Sequence, residues 1–257
     1  PPRSTLFPYT TLFRSFKKGI GDFLSVWIAP PARRSSQMRP ENLKRTAAAY
    51  GATKQTPTDY SQVYSQTITH TSLESGERTL ELFRGQSRAT LTVRLVRESK
   101  NSAEAFFVDC PFPAPGVLPE FTNGGVKFVP FDGQLTGACR DYVVVDGWGR
   151  YTTTDGQWLW VTRDAPLVAV GGPHTWQRIK QKPADPEHLW TLVFDNFWHT
   201  NFVANSNGLM EFRWELAWAP EFDDPAAAAE TLVSEPVVVV QPGLKESPEL
   251  MKSLFVP

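Results

Sequence analysis

The chain is poor in the residue types that build a metal centre or a redox framework. Its 257 residues include four histidines, two cysteines and three methionines. His70, His174, His188 and His199 are dispersed, and no H-x-D, H-x-x-H or H-x-H spacing places two ligands on one ion. Cys110 and Cys139 would pair only if neighbouring strands brought their Cα atoms within about 7 Å. They read instead as two isolated, buried thiols, which leaves the compartment undecided. Charge of one sign is missing as well: Lys plus Arg number 26, Asp plus Glu 27, and the formal net charge is -1. That balance gives no electrostatic case for nucleic acid or an anionic membrane as partner. No uninterrupted apolar run approaches the roughly 20 residues that span a bilayer, and Val237 to Val240 is only strand length.

What is present points to β structure. Hydrophobic residues make up 41% of the chain, enough for one sizeable core or two small ones. Nine tryptophans, 22 prolines and 17 glycines favour strands broken by turns over long helices. From Tyr60 the alternation is clear, with Val63, Ser65, Thr67 and Thr69 on one strand face. The cluster Glu74-Ser75-Gly76-Glu77 predicts a hairpin turn into Arg78 to Arg84, where Leu80 and Leu82 alternate with charges. Gly85-Gln86-Ser87 predicts the next turn, then Ala89 to Val96 with Leu91, Val93 and Leu95 inward. A further turn at Glu98 to Ser102 precedes the nearly all-apolar Ala105 to Cys110, and Trp148, Trp158 and Trp160 fall on strands as core residues. Strands recurring about every ten residues predict an all-β fold, a large antiparallel β-sandwich with short helical or irregular terminal segments.

The chain divides into four stretches on this reading. Residues 1–15 stand outside the fold, because Thr5 to Ser15 (TLFPYTTLFRS) reads codon for codon as a translated sequencing adapter. A truncated amino terminus is therefore expected. Residues 16–58 hold an apolar run, Phe23 to Ile28, and a polar, basic stretch whose helical option is Glu41 to Tyr50 and whose charges read as solvated surface. Residues 59–222 carry the sandwich. Residues 223–257 contain an alanine run from Asp223 to Glu230 suited to one helix, a closing strand at Val237 to Val240, and a tail from Lys245 to Pro257.

One segment concentrates chemistry. Asp195 to Phe202 (DNFWHTNF) packs three aromatics, two amides and a histidine into eight residues. A pyranose presents an apolar C–H face to an indole and hydroxyls to amides and imidazoles, so this density suits a sugar. Phe197 and Trp198 as sandwich core, with the amides as turn formers, is the alternative.

This segment, followed by Gly208 to Leu216 (GLMEFRWEL), resembles the N-[NY]-W-x-T-N-[FY] … G-x-F-x-[FY]-R stretch of family 38 glycoside hydrolases, the α-mannosidase family. Three upstream segments resemble the same family in the same order. Glu104 to Phe112 (EAFFVDCPF) looks like its EA[IL][FY]FAFPF strand, Gln134 to Tyr142 (QLTGACRDY) like QLPGSCRD[FY], and Trp158 to Val168 (WLWVTRDAPLV) like GVTWVTLDAPLV. Four colinear matches are more specific than any one of them.

All four belong to the family's C-terminal sandwich region, so the resemblance implies a super-sandwich of the galactose-mutarotase-like type that follows a catalytic domain. It implies a retaining enzyme acting on α-linked sugars, whose zinc ion and aspartate nucleophile reside in that missing domain. No segment here matches those motifs, so no catalytic or metal residue is expected in this chain. A retaining glycosidase needs two carboxyl groups about 5–5.5 Å apart. Asp141, Asp146, Asp155, Asp164, Asp195, Glu211 and Glu215 are the candidates by type. Glu211 and Glu215, alternating with Phe212, Trp214 and Leu216, read as a solvent face, and Asp164 reads as a turn former. The chain alone is expected to be inactive.

Its expected partners are the carbohydrate substrate and the catalytic domain of the same polypeptide. Asn196, Trp198, His199 and Asn201 are the expected loop at the rim of the sugar pocket. Trp198 would stack on a sugar or brace the rim, and the others would bind hydroxyls or lock the loop. Arg140 and Asp141 either join them or form a structural bridge. Two other readings stay open, a non-catalytic carbohydrate-binding module and a purely structural accessory domain. A sandwich cut from its partner is also expected to expose an apolar patch, near Phe23 to Ile28 and Phe197 to Phe202.

Overall fold

The computed structural model describes residues 24–28, 44–100, 103–174, 178–196 and 205–234. Two open antiparallel sheets carry them. The smaller runs from edge to edge as Val143–Val144 (β11), Leu167–Val170 (β14), His188–Asp195 (β15), Glu104–Pro111 (β8), Leu24–Ile28 (β1) and Lys44–Ala47 (β2). The larger begins with Val126–Phe128 (β10), Glu120–Asn123 (β9), Trp148–Thr153 (β12) and Gly156–Thr162 (β13). It continues through Gly208–Ala219 (β16), Arg88–Arg97 (β7), Leu73–Phe83 (β6) and Ser61–Thr69 (β5) to Ala49–Tyr50 (β3), with Lys54–Pro57 (β4) also paired to β5. The expected all-β antiparallel sandwich is the fold found.

The two-residue period of a strand explains how the sheets meet. Leu91, Val93 and Leu95 of β7 and Phe106, Val108 and Cys110 of β8 lie buried in one cluster between the sheets. Trp158 and Trp160 of β13 and Trp214 of β16 join it, as their placement on strands predicts. Full burial of one such aliphatic or Phe side chain contributes about 1.5–3 kcal/mol, so this shared cluster dominates the fold. β8 is buried along its whole length. Its alternate residues Ala105 and Phe107 pack with Ala169 and Trp190 on the outer face, which is why the strand reads as nearly continuous apolar sequence.

The expected helix is Pro225–Val233 (α1). Asp224 caps it, its Oδ1 accepting from the amides of Ala226 at 2.9 Å and Ala227 at 3.1 Å, and Pro225 opens the first turn. Ala229 and Leu232 then bury against Trp148, Leu159 and Val161 on the outer face of the larger sheet.

Four expectations are corrected. Glu41 to Tyr50 is not helical where described: Lys44–Ala47 pairs with β1 and Ala49–Tyr50 with β5, sheet pairing outweighing a weak helical propensity. The hairpin turn lies not at Glu74 to Glu77 but at His70 to Ser72, closed by the Leu73 amide donating to the His70 carbonyl at 3.0 Å. Gly76 is a mid-strand glycine instead, because a Cβ there would stand 2.9 Å from the Ile68 Cβ across the ladder. Cys110 is a free buried thiol as expected, but Cys139 is free and exposed. Glu215 does not face solvent, being buried against Arg88 and Arg163, which in turn donate to the end of α1, whereas Glu211 of the same strand is exposed. Residues 1–23 and 29–43, and the expected strand and tail after residue 234, lie outside the described residues.

Candidate functional site

The two described flanks of the 197–204 segment converge on one buried polar node. At the end of β15 the Asn196 amide donates to the Glu104 carbonyl at 3.0 Å, and the Asn196 side-chain Oδ1 accepts from the Glu104 amide. On the other flank, Arg97 Nη1 donates to Asn205 Oδ1 at 3.0 Å and to the Ser206 carbonyl at 2.8 Å. Arg97 Nη2 donates to Glu104 Oε2 at 3.0 Å and to the Lys100 carbonyl at 3.1 Å. The Ser72 hydroxyl donates to Glu104 Oε1 at 2.7 Å. The guanidinium also stands 4.5 Å from the Phe194 ring. A buried ion pair is tolerable when its remaining donors and acceptors are satisfied. Here backbone carbonyls, an amide and a hydroxyl serve Arg97 Nη1 and Nη2 and the Glu104 carboxylate, while Arg97 Nε is buried without a hydrogen-bond partner among the described residues.

His70 extends the node toward the smaller sheet. Its Nδ1 accepts from the Ser72 amide at 3.1 Å, and its Nε2 lies 2.9 Å from Thr46 Oγ1. Burial pulls the His70 pKa below its ordinary value, with Glu104 opposing and Lys100 reinforcing. A second carboxylate, Asp109, is buried on the outer face of β8 and accepts from His188 Nδ1 at 2.7 Å. That hydrogen bond raises the His188 pKa against the opposing effect of burial.

Among the expected sugar-binding residues, Asn196 is buried and its amide oxygen accepts from the Glu104 backbone amide. Arg140 and Asp141 bond separately, both to one neighbouring segment. Arg140 Nη1 donates to the Lys180 carbonyl at 2.9 Å, while buried Asp141 accepts from the amides of Arg178 at 3.0 Å and Ile179 at 2.7 Å. Trp198, His199 and Asn201 lie outside the described residues. Sequence reasoning missed Arg97 and Glu104, although the signal was available: Arg97 follows Leu91, Val93 and Leu95 on the inward face, and Glu104 opens a nearly all-apolar strand.

The zinc that the resemblance implies finds no fit in the described residues. His70 and His188 are engaged as above, His174 Nε2 lies 3.2 Å from the Val170 carbonyl, and no three His, Cys, Asp or Glu converge among the described residues. A cavity of about 600 Å³ opens between α1 and β12, lined in part by Lys127, Asp146, Arg163 and Glu230. Its one aromatic, Trp148, is only 3% exposed and offers little face to a sugar ring.

No protein-family model matches the chain, and no curated protein matches it in sequence. Solved structures do match its fold. One is an α-mannosidase from Enterococcus faecalis V583, with a TM-score of 0.52 at 9% identity over 77% of this chain and 25% of that one. Another is a glycosyl hydrolase family 38 protein from Enterococcus faecalis, with a TM-score of 0.50 at 9% identity over 77% of this chain and 26% of that one. The chain has the fold of part of these proteins. It spans about a quarter of their length, and the likeness falls on the family that its sequence segments resemble.

Proposed function

We infer that this chain is the C-terminal β-sandwich portion of a retaining α-glycosidase of the α-mannosidase type. One coincidence carries the reading: four colinear segments resemble family 38, and the fold of the chain is that of part of family 38 structures. The sandwich supports a catalytic domain that supplies the zinc, the nucleophile and the acid/base carboxylate. Its own contribution to the sugar site is the segment flanked by Asn196 and Asn205, carrying Trp198, His199 and Asn201. Asn196 and the Arg97–Glu104 node fix the base of that segment.

Arg140 and Asp141 favour the accessory reading at their own position, since both are committed to the 178–180 backbone. Expression of residues 16–257 alone, assayed on an aryl α-mannoside with and without added zinc, should give no turnover above background. Zinc-dependent turnover by the purified chain overturns the assignment of chemistry to another domain. The intact gene should encode a family 38 catalytic domain upstream. A gene without one leaves the stand-alone carbohydrate-binding module as the surviving reading.

A further inference from the structure

Apolar exposure in this sandwich is concentrated at one end. The exposed large apolar side chains among the described residues are Tyr60, Val126, Leu135, Val144, Leu167 and Leu209. Four of these, Val126, Leu135, Val144 and Leu167, gather where the edge strands β10 and β11 terminate the two sheets. Val126 and Val144 line one shallow depression together with Gln134. Leu167 is the cross-strand partner of Val144, and Leu135 follows Gln134 in the chain.

Leu135 belongs to a braced projection. It is 84% exposed at the start of a loop whose residues 135–139 are all exposed. That loop is nonetheless tied down within itself. The Ala138 amide donates to the Leu135 carbonyl at 3.1 Å, and Gln134 bridges the loop, its Oε1 accepting from the Phe131 amide at 3.0 Å and its Nε2 reaching the Cys139 carbonyl at 3.5 Å. At the exit, Arg140 and Asp141 grip the 178–180 backbone, as described above. An apolar tip held in place before binding loses little conformational entropy on docking, and apolar anchors entering a pocket are how few residues come to dominate an interface.

We propose that Leu135, Val126, Val144 and Leu167 form the docking surface of this sandwich for the catalytic domain of the same enzyme, with Leu135 as the anchor. The assignment rests on the glycosidase reading above. The occupant follows from length: proteins with this fold extend over about four times the span that the sandwich covers, so most of their chain lies outside it. The surface also explains the segment Gln134 to Tyr142, whose apolar residues at 135, 138 and 139 serve no core.

The test uses the intact gene. Its upstream polypeptide is co-expressed with this chain, and association is measured by size exclusion and by titration of the purified parts. The wild-type chain should co-elute with the catalytic domain, and Leu135→Glu and Val144→Lys should each weaken association by roughly 30-fold or more. Neither change should shift the thermal midpoint of the isolated chain, because both side chains are exposed. Association unchanged in both variants overturns this surface while leaving the glycosidase reading intact. A gene encoding no catalytic domain overturns both. Self-association of the isolated chain that both variants abolish reassigns the surface to a second copy.

Discussion

Arg97 and Glu104 meet at 3.0 Å with their side chains 0% and 3% exposed, and this pair holds both flanks of the 197–204 segment. The two residues lie at the end of β7 and the start of β8, strands in opposite sheets. One ion pair therefore joins the two layers at the edge of their apolar cluster. Desolvating both charges offsets most of their attraction, so the pair adds little net stability over an apolar replacement. Its contribution is to define one arrangement of the backbone around it.

Removing one partner should then cost far more than removing both. Arg97→Met or Glu104→Leu alone leaves a buried unpaired charge and should destabilise the chain by about 3–5 kcal/mol. The double variant should lose clearly less than the sum. Urea unfolding of the three variants checks this, and simple additivity would show that the two charges do not act as a unit.

Glu215 supplies the second prediction. Its Oε2 accepts from the Thr90 hydroxyl at 2.8 Å and from Arg88 at 3.2 Å, and Arg163 lies 3.6 Å from Oε1. Both arginines also donate to the end of α1, Arg88 to the Leu232 carbonyl at 3.1 Å and Arg163 to that of Val233 at 3.3 Å. Glu215→Ala should strip the carboxylate from two guanidiniums, cost roughly 2–4 kcal/mol and speed amide exchange in α1. Glu211→Ala on the same strand should stay within about 0.5 kcal/mol.

That contrast marks where the sequence was legible. Period two placed Leu91, Val93, Leu95 and the tryptophans of β13 correctly, because an alternating strand over a single core has one apolar answer. Glu215 obeys the same alternation and was misplaced, since Arg88 and Arg163, tied to the end of α1, bury it on the outer face of its sheet. Strand alternation cannot carry the position of α1. The turn at His70 to Ser72 was displaced for a related reason: Gly76 answers to Ile68 across the ladder, a contact that local sequence does not display. Asn196 was legible as a polar residue of the 195–202 segment, while its partner Glu104 lies on a strand distant in sequence.

Two histidines give stability a maximum in pH. His188 has a raised pKa, so its contribution is fully present below the ordinary imidazole value near 6.5 and is lost as pH climbs through the higher folded value. His70 has a lowered pKa, so its site is unstrained above 6.5 and destabilises the fold as pH drops toward the lower folded value. His188→Gln should flatten the alkaline limb of a stability-versus-pH curve and His70→Gln the acid limb. A limb that persists unchanged in the corresponding variant removes that residue from the account.

Arg140 and Asp141 separate a sugar contact from a structural brace. Asp141 is buried and is the acceptor for two backbone amides. Asp141→Ala should leave both amides without that acceptor, cost about 1–3 kcal/mol, and increase exchange at residues 178–180. Arg140 is half-buried with one carbonyl contact, and Arg140→Ala should change stability by no more than about 0.5 kcal/mol. In the full-length glycosidase proposed above, both variants should keep KM for an aryl α-mannoside, because a brace on the 178–180 backbone touches no sugar hydroxyl. A rise in KM of roughly tenfold in Arg140→Ala, with its thermal midpoint unmoved, would mean that the guanidinium reaches the substrate and that the rim of the site includes this loop.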